Sequence, residues 1–289
     1  MEPLSQVVNS IPSVYPAAEI KKYLIPLLGA IIRLHTKNKT IIIGIQGGQG
    51  TGKTTLSRFL QHALAKASYT VQSFSLDDFY KTNKERIVLR KKYPHNAFYQ
   101  IPRGLPGTHR VQLLKETLRK IKSGTPFELP LFDKSLHHAQ GDVLRKTINV
   151  TKRPDFVFFE GWCLGLPAVS STVLQAVSQQ YHLNLKNLDP TLQDHKVVLR
   201  YAKDYQPLWR FIDYWIMLKP SNTKLHTQWR YKQEQELKKR AGKGMTKTEI
   251  NRFVEPYLPF TYLCYEKVKP DALFLINEHH CFSKVRYFR

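Results

Sequence analysis

Lys53, Thr54, Asp77, Asp78 and Glu160 each stand just beyond an apolar run in this 289-residue chain. An ammonium, a hydroxyl and carboxylates in those positions suit one kind of chemistry, the binding and transfer of a phosphoryl group. The first pair closes the run Ile41 to Leu56, in which Gly47, Gly52, Lys53 and Thr54 fill the template G-x-x-x-x-G-K-[ST]. In such a loop, Gly47, Gly48, Gln49, Gly50, Thr51 and Gly52 turn successive N–H groups toward phosphate oxygens. The following helix, opened by Lys53, Thr54 and Thr55, points its positive end at the same anion. Lys53 then reaches the terminal phosphates of ATP and the Thr54 hydroxyl ligates Mg²⁺. The plain alternative is a glycine-rich turn, but the strand–loop–helix context required of the motif is present.

The other acids depend on the strands that carry them. Tyr69 to Ser75 predicts a strand with Asp77 and Asp78 just past its end. Asp155 to Trp162 predicts another, apolar through its middle as expected of a strand buried on both faces. At ~3.3 Å per residue, Asp155 and Glu160 lie roughly 17 Å apart along it. Ligands of open parallel sheets bind beyond the carboxyl ends of the strands. Glu160 is therefore a candidate for holding hydrated Mg²⁺, and Asp155 is not. Asp77 or Asp78 is a candidate proton acceptor, with a helix cap as the plain reading. Between these strands, Pro94 to Thr108 predicts a long irregular loop. Its end, Arg103, Thr108 and His109, could hold an anionic acceptor or form an ordinary surface turn.

The remaining elements frame these groups. Apolar spacing predicts a helix over 14–34, kinked or divided at Pro26, and helices over 53–66, 81–92 and 110–122. Leu129 to Ser135 predicts a short segment and then a loop. Residues 165–213 contain helical stretches without a motif. Tyr214 to Leu218 predicts a strand, and Leu225 to Ala241 a long helix with a basic end. Gly242 to Met245 breaks it, and Thr246 to Glu249 forms a capping box that opens a helix to about Tyr257. That pair suits a lid closing over phosphates. Ala272 to Asn277 and Cys281 to Tyr287 predict closing strands. Without a repeat or a clear linker, the expectation is one domain over 1–289, with 1–36 as a helical extension and 225–258 as the lid.

Composition narrows the partners. The formal charge of +23 favours anionic ligands. A nucleic-acid-associated ATPase is the rival this charge suggests, but no nucleic-acid module or interleaved aromatic–basic motif is present. Cys163, Cys264 and Cys281 form no C-x-x-C pair, which suits a reducing compartment. The chain has no apolar run of membrane-spanning length and no basic-then-apolar leader after Met1. A cytoplasmic location is expected, without a membrane partner.

Seven segments together resemble the D-glycerate 3-kinase family and its yeast ATP-binding kinase-like relatives, within the group of uridine kinase, pantothenate kinase and phosphoribulokinase. They are GGQGTGKTT, SLDDFY, RGLPGTH, LPLFDKS, EGWCLG, WRYKQEQEL and GKGMTKTE followed by FVEPYLP, and they run from about Ile41 to Tyr262. The resemblance implies a P-loop NTPase fold, that is, an α/β chain with a mostly parallel sheet, helices on both faces and a helical lid. It also implies a phosphotransferase moving the γ-phosphoryl group of Mg-ATP to a small anionic acceptor, D-glycerate first. By that resemblance Asp77 is the base, with Asp78 and Tyr80 beside the acceptor. Glu160 manages Mg²⁺, Lys53 and lid Arg230 stabilise the transferring group, and Arg103, His109, Asp133 and Lys134 hold the acceptor. Three departures from the family pattern, Arg110, Phe132 and Val143, all fall on the acceptor side. A nucleoside, vitamin precursor or other sugar acid is the alternative acceptor they suggest.

Overall fold

The computed structural model describes residues 4–9, 11–241 and 245–288. The expected break at Gly242, Lys243 and Gly244 lies outside the described residues.

Strand β1 (Ile41–Gly47) lies inside a six-stranded sheet with β2 (Val71–Ser75), β5 (Phe156–Gly161), β6 (Tyr214–Pro220), β7 (Ala272–Ile276) and β8 (Phe282–Tyr287). Their order is β2-β5-β1-β6-β7-β8, and only the last pair is antiparallel. Side chains alternate across the sheet. Ile42, Val157, Phe159 and Met217 face one layer, while Ile43, Ile45, Phe156 and Phe158 face the other. Both layers are buried, so the central strands are apolar almost throughout, as the sequence predicts.

One layer is covered by α4 (Val111–Ser123), α5 (Ser171–Gln180), α6 (Asp194–Trp209) and α9 (Leu258–Lys267). The other is covered by α1 (Ile25–Arg33), α2 (Lys53–Lys66) and the first turns of α7 (Leu225–Ala241), through Leu225 and Trp229. α3 (Asn83–Lys92) buries Arg86 and Leu89, and α8 (Lys247–Val254) buries Ile250 and Val254. The predicted 14–34 helix is divided as Pro26 requires. Ile20–Leu24 is wound more widely, with Ile25 N–H donating to Ile20 O, and the regular α1 turns begin beside the proline.

Two elements differ from the sequence expectation. Leu129 to Ser135, expected as a short segment and then a loop, belongs to a hairpin in which β3 (Phe127–Asp133) pairs antiparallel with β4 (Asp142–Val150) in a separate two-stranded sheet. Most of β4 is exposed or half-exposed, so it lacks an apolar face that would reveal it. The second is α9, whose residues Pro259 to Tyr265 are all buried. A helix apolar on every side has no amphipathic signature.

Candidate active site

Parallel register brings the acids to one edge. Glu160 is level with Ile45 of β1 and with Ser75 of β2. Its Oε1 accepts a hydrogen bond from Thr54 Oγ1 at 3.0 Å, across the start of α2. Asp155 lies at the opposite end of the sheet, where it accepts from Thr70 N–H at 2.8 Å.

The loop between β1 and α2 is held from outside by side chains distant in sequence. Gly52 takes the left-handed conformation (φ 83°) that turns the loop into α2. A Cβ at Gly48 would lie 2.1 Å from His226 Cε1, so only glycine fits beneath the lid helix. Gly48 N–H donates to Tyr265 Oη (2.7 Å), and His226 Nδ1 donates to Gln49 O (2.9 Å). His280 Nε2 donates to Gly50 O (3.0 Å). Thr51 Oγ1 and Lys53 Nζ both donate to Gly48 O at 2.9 Å. Burial pulls the Lys53 pKa below the usual lysine value, although Glu160 and Asp77 oppose that shift. Gly47 closes β1, and Thr55 is exposed on the first turn of α2.

Gln49, Gly50, Lys53, Thr54, Asp77, Tyr80, Arg103, Lys134, Glu160 and Arg230 line one cavity of about 340 Å³. Asp77 Oδ2 accepts from Lys134 Nζ at 2.6 Å, and Oδ1 from Tyr80 Oη at 2.8 Å. Burial alone would raise the Asp77 pKa. The Lys134 charge and hydrogen bond, helped by Tyr80, hold it below the usual carboxylate value. Arg230 binds Glu234 at 2.8 Å, and its guanidinium lies 5.2 Å from the Phe253 ring centre of α8, so α7 and α8 meet at this cation. Arg103 donates to Ala139 O at 2.6 Å and faces the Phe132 ring.

Three acceptor-side candidates fall elsewhere. His109 is buried behind Tyr80, its ring stacked on it at 4.4 Å with Nδ1 2.8 Å from Tyr205 Oη, and it does not line the cavity. Burial pulls its pKa down to about 3. Asp133 turns into its own loop, accepting from Ser135 N–H and Oγ. Asp78 caps the turn after β2 by accepting from Ser75 N–H at 2.8 Å, and burial pushes its pKa up to about 6. Its carboxylate lines an adjoining cavity of about 360 Å³ instead. Thr108 likewise braces its own loop, donating to Leu105 O at 2.6 Å.

Residues that the sequence does not single out hold the loop over 94–108. Trp162 Nε1 donates to Gly104 O at 3.0 Å, and Tyr257 Oη to Arg103 O at 2.7 Å; both rings line the cavity. Arg86 is buried in α3 and donates to the carbonyls of Lys81, Pro102, Gln140 and Gly141. It thereby fastens the loop and the hairpin to the segment that follows Asp77. Trp162 stands in the glutamate-bearing segment and was legible by position. Nothing around Arg86 distinguishes it from the other basic residues of its helix.

A glycine-rich loop with lysine and threonine and strand-end acids on the same edge of a mostly parallel sheet define a nucleotide-dependent phosphotransferase of the P-loop kinase class. The Phosphoribulokinase / Uridine kinase family profile matches residues 42–185, and the chain belongs to this family of ATP-dependent small-molecule kinases. The uncharacterized kinase mug58 of Schizosaccharomyces pombe is 35% identical over 77% of this chain and 80% of its own length. The chloroplastic D-glycerate 3-kinase of Arabidopsis thaliana is 31% identical over 76% of this chain, which spans 46% of that longer protein. The structure of D-glycerate 3-kinase from Cryptococcus neoformans superposes with a TM-score of 0.81 at 24% identity, covering 95% of this chain and all (100%) of that one, a likeness of fold. Among the described residues, no helix is long and apolar enough to cross a membrane.

Proposed function

We propose that this kinase transfers the γ-phosphoryl group of Mg-ATP to a hydroxyl of a small hydroxy acid, with D-glycerate as the acceptor. The observation that carries this reading is the position of Asp77, in one cavity with Lys53 and the Thr54–Glu160 pair and ringed by Lys134, Arg103 and Arg230. Thr54 and Glu160 offer a hydroxyl and a carboxylate, the oxygen donors that Mg²⁺ prefers, and they would hold it. When bound, the ion neutralises charge on the phosphates.

The chain's own groups do the rest. Amide groups of residues 49–52 and Lys53 seat the triphosphate. The three cations draw in the acceptor carboxylate, which competes with Asp77 for Lys134. Asp77, relieved of that partner, orients the acceptor hydroxyl and takes its proton as the new P–O bond forms and the bond to ADP breaks. Arg230 and Lys53 balance charge on the moving phosphoryl group. The D-glycerate 3-kinase of Arabidopsis supports the choice of acceptor.

A second reading, a bulkier acceptor, is favoured by the adjoining cavity of about 360 Å³. It shares Thr54, Asp77, Lys134 and Glu160 and adds Arg58, whose side chain forms no hydrogen bond or ion pair among the described residues. ADP release measured over a panel of hydroxy acids, nucleosides and pantothenate decides between the two. D-glycerate giving the highest kcat/KM supports the first reading. No D-glycerate-dependent ADP, with a larger acceptor active, replaces it by the second.

A further inference from the structure

Two peptide planes of the glycine-rich loop are fixed by histidines from elsewhere in the chain. A trans peptide is flat, and the C=O of one residue points opposite to the N–H of the next. Whatever holds the carbonyl on one side therefore aims the following N–H to the other. His226 Nδ1 donates to Gln49 O at 2.9 Å, and His280 Nε2 donates to Gly50 O at 3.0 Å. The first contact turns the Gly50 N–H away from His226, and the second turns the Thr51 N–H away from His280. Gln49 and Gly50 line the active cavity beside Lys53, whereas neither histidine does. Among the described residues, Gly50 N–H has no acceptor, and Thr51 N–H has only a long contact of 3.4 Å to Gly48 O. Local chain geometry sets the course of the loop. Gly50, a glycine at φ 77°, leaves the tilt of its two planes weakly determined by sterics, and the histidines select it.

A carbonyl oxygen only accepts, so each bonded ring nitrogen carries a hydrogen. His226 is buried, and burial pulls its pKa down to about 4. The ring is therefore neutral at ordinary pH, with its one hydrogen on Nδ1 and a bare lone pair on the unpartnered Nε2. His226 stands on the first turn of α7, one helical turn before Arg230, so the helix that seats the loop also presents Arg230 to the cavity. His280 lies in the turn between β7 and β8 at φ 60°, with its ring 4.4 Å from that of Trp229 on α7. The two donors thus reach adjacent carbonyls from two separate elements that pack on each other.

We propose that His226 and His280 are positioning residues for the nucleotide, which hold the carbonyls of Gln49 and Gly50 and thereby aim the N–H groups of Gly50 and Thr51 at the phosphates. That role rests on the reading in which residues 49–52 seat the triphosphate.

The test uses the whole chain as wild type, His280→Gln, His280→Phe, His226→Asn and His226→Phe. The amides keep an N–H donor in place of the ring nitrogen, and phenylalanine keeps a ring without the donor. Affinity for a non-hydrolysable ATP analogue is titrated in each chain, beside the thermal midpoint without ligand. The expected result is affinity weakened by about tenfold or more in the phenylalanine variants, the scale of a hydrogen bond to an ion, and largely restored in the amide variants. Wild-type affinity in the phenylalanine variants would overturn the proposal, and a lowered midpoint alone would not rescue it, since that is the mark of a purely structural role. Equal weakening in the amide and phenylalanine variants would also overturn it. His280 is exposed, so its pair of variants decides the matter even where His226→Phe does not fold. The amide signal of Gly50 in ¹⁵N-glycine-labelled wild type separates this outcome from failure of the loop reading. An analogue that binds without moving that signal places the triphosphate elsewhere and overturns both. No outcome depends on which acceptor is phosphorylated.

Discussion

The two halves of the active cavity are built differently. On the nucleotide half, chemistry and scaffold are contiguous, since β1, its loop and α2 run from Ile41 to Lys66 without interruption. Loop geometry there follows from glycine and from the first turn of a helix. On the acceptor half, Tyr80, Arg103, Lys134, Trp162 and Tyr257 come from five separate segments and meet through tertiary contacts such as Tyr257 Oη to Arg103 O. The first half is set by local chain geometry, and the second by contacts between distant segments.

Substitutions sharpen that contrast. Lys53→Ala removes the cation nearest the phosphates, and the expected loss of kcat is about 10²–10³-fold, measured at saturating acceptor. Arg103→Ala should leave nucleotide affinity intact and raise the acceptor KM by about tenfold or more, the scale of a hydrogen bond to an ion. Initial rates with either substrate varied show whether the two halves separate this way. A large change in nucleotide affinity for Arg103→Ala would break the division.

A smaller effect lies in the pH profile. Lys134 is the main group holding the Asp77 pKa below its ordinary value, against burial, which raises it. With Asp77 as the proposed base, protonation removes it, so activity should fall as pH drops through its pKa. With Lys134→Ala the opposing burial effect remains, and the acidic limb of kcat/KM should move to higher pH. An unmoved limb would mean that the Lys134–Asp77 pair does not govern the base.

The same contrast explains what the sequence revealed. Lys53, Thr54, Asp77 and Glu160 were legible because strand length and parallel order place them at one edge whatever the loops do. The separation of Asp155 from Glu160 followed from the rise per residue alone. The orientations of His109 and Asp133 were not legible, and for Asp78 the cap was the plain alternative to a site role, because a motif shows which residues are near a site but not which way each side chain turns. His109 is consumed by stacking on Tyr80, Asp133 by its own turn and Asp78 by a cap. The β3–β4 hairpin escaped because its strands are half-exposed and Pro130 interrupts the first. α9 escaped because burial on all sides removes its period. Arg86 escaped because a buried arginine satisfied by carbonyls looks, in sequence, like any surface arginine.

The central claim is that Asp77 faces the terminal phosphorus of a nucleotide seated on residues 47–54 and handles the acceptor proton. Single-turnover transfer by Asp77→Asn, measured beside the affinity of the same variant for a non-hydrolysable ATP analogue, tests it most directly. Analogue binding should be unchanged and transfer slowed by about 10²–10⁴-fold, the range for loss of a general base. Transfer at the wild-type rate, with any acceptor, would contradict it.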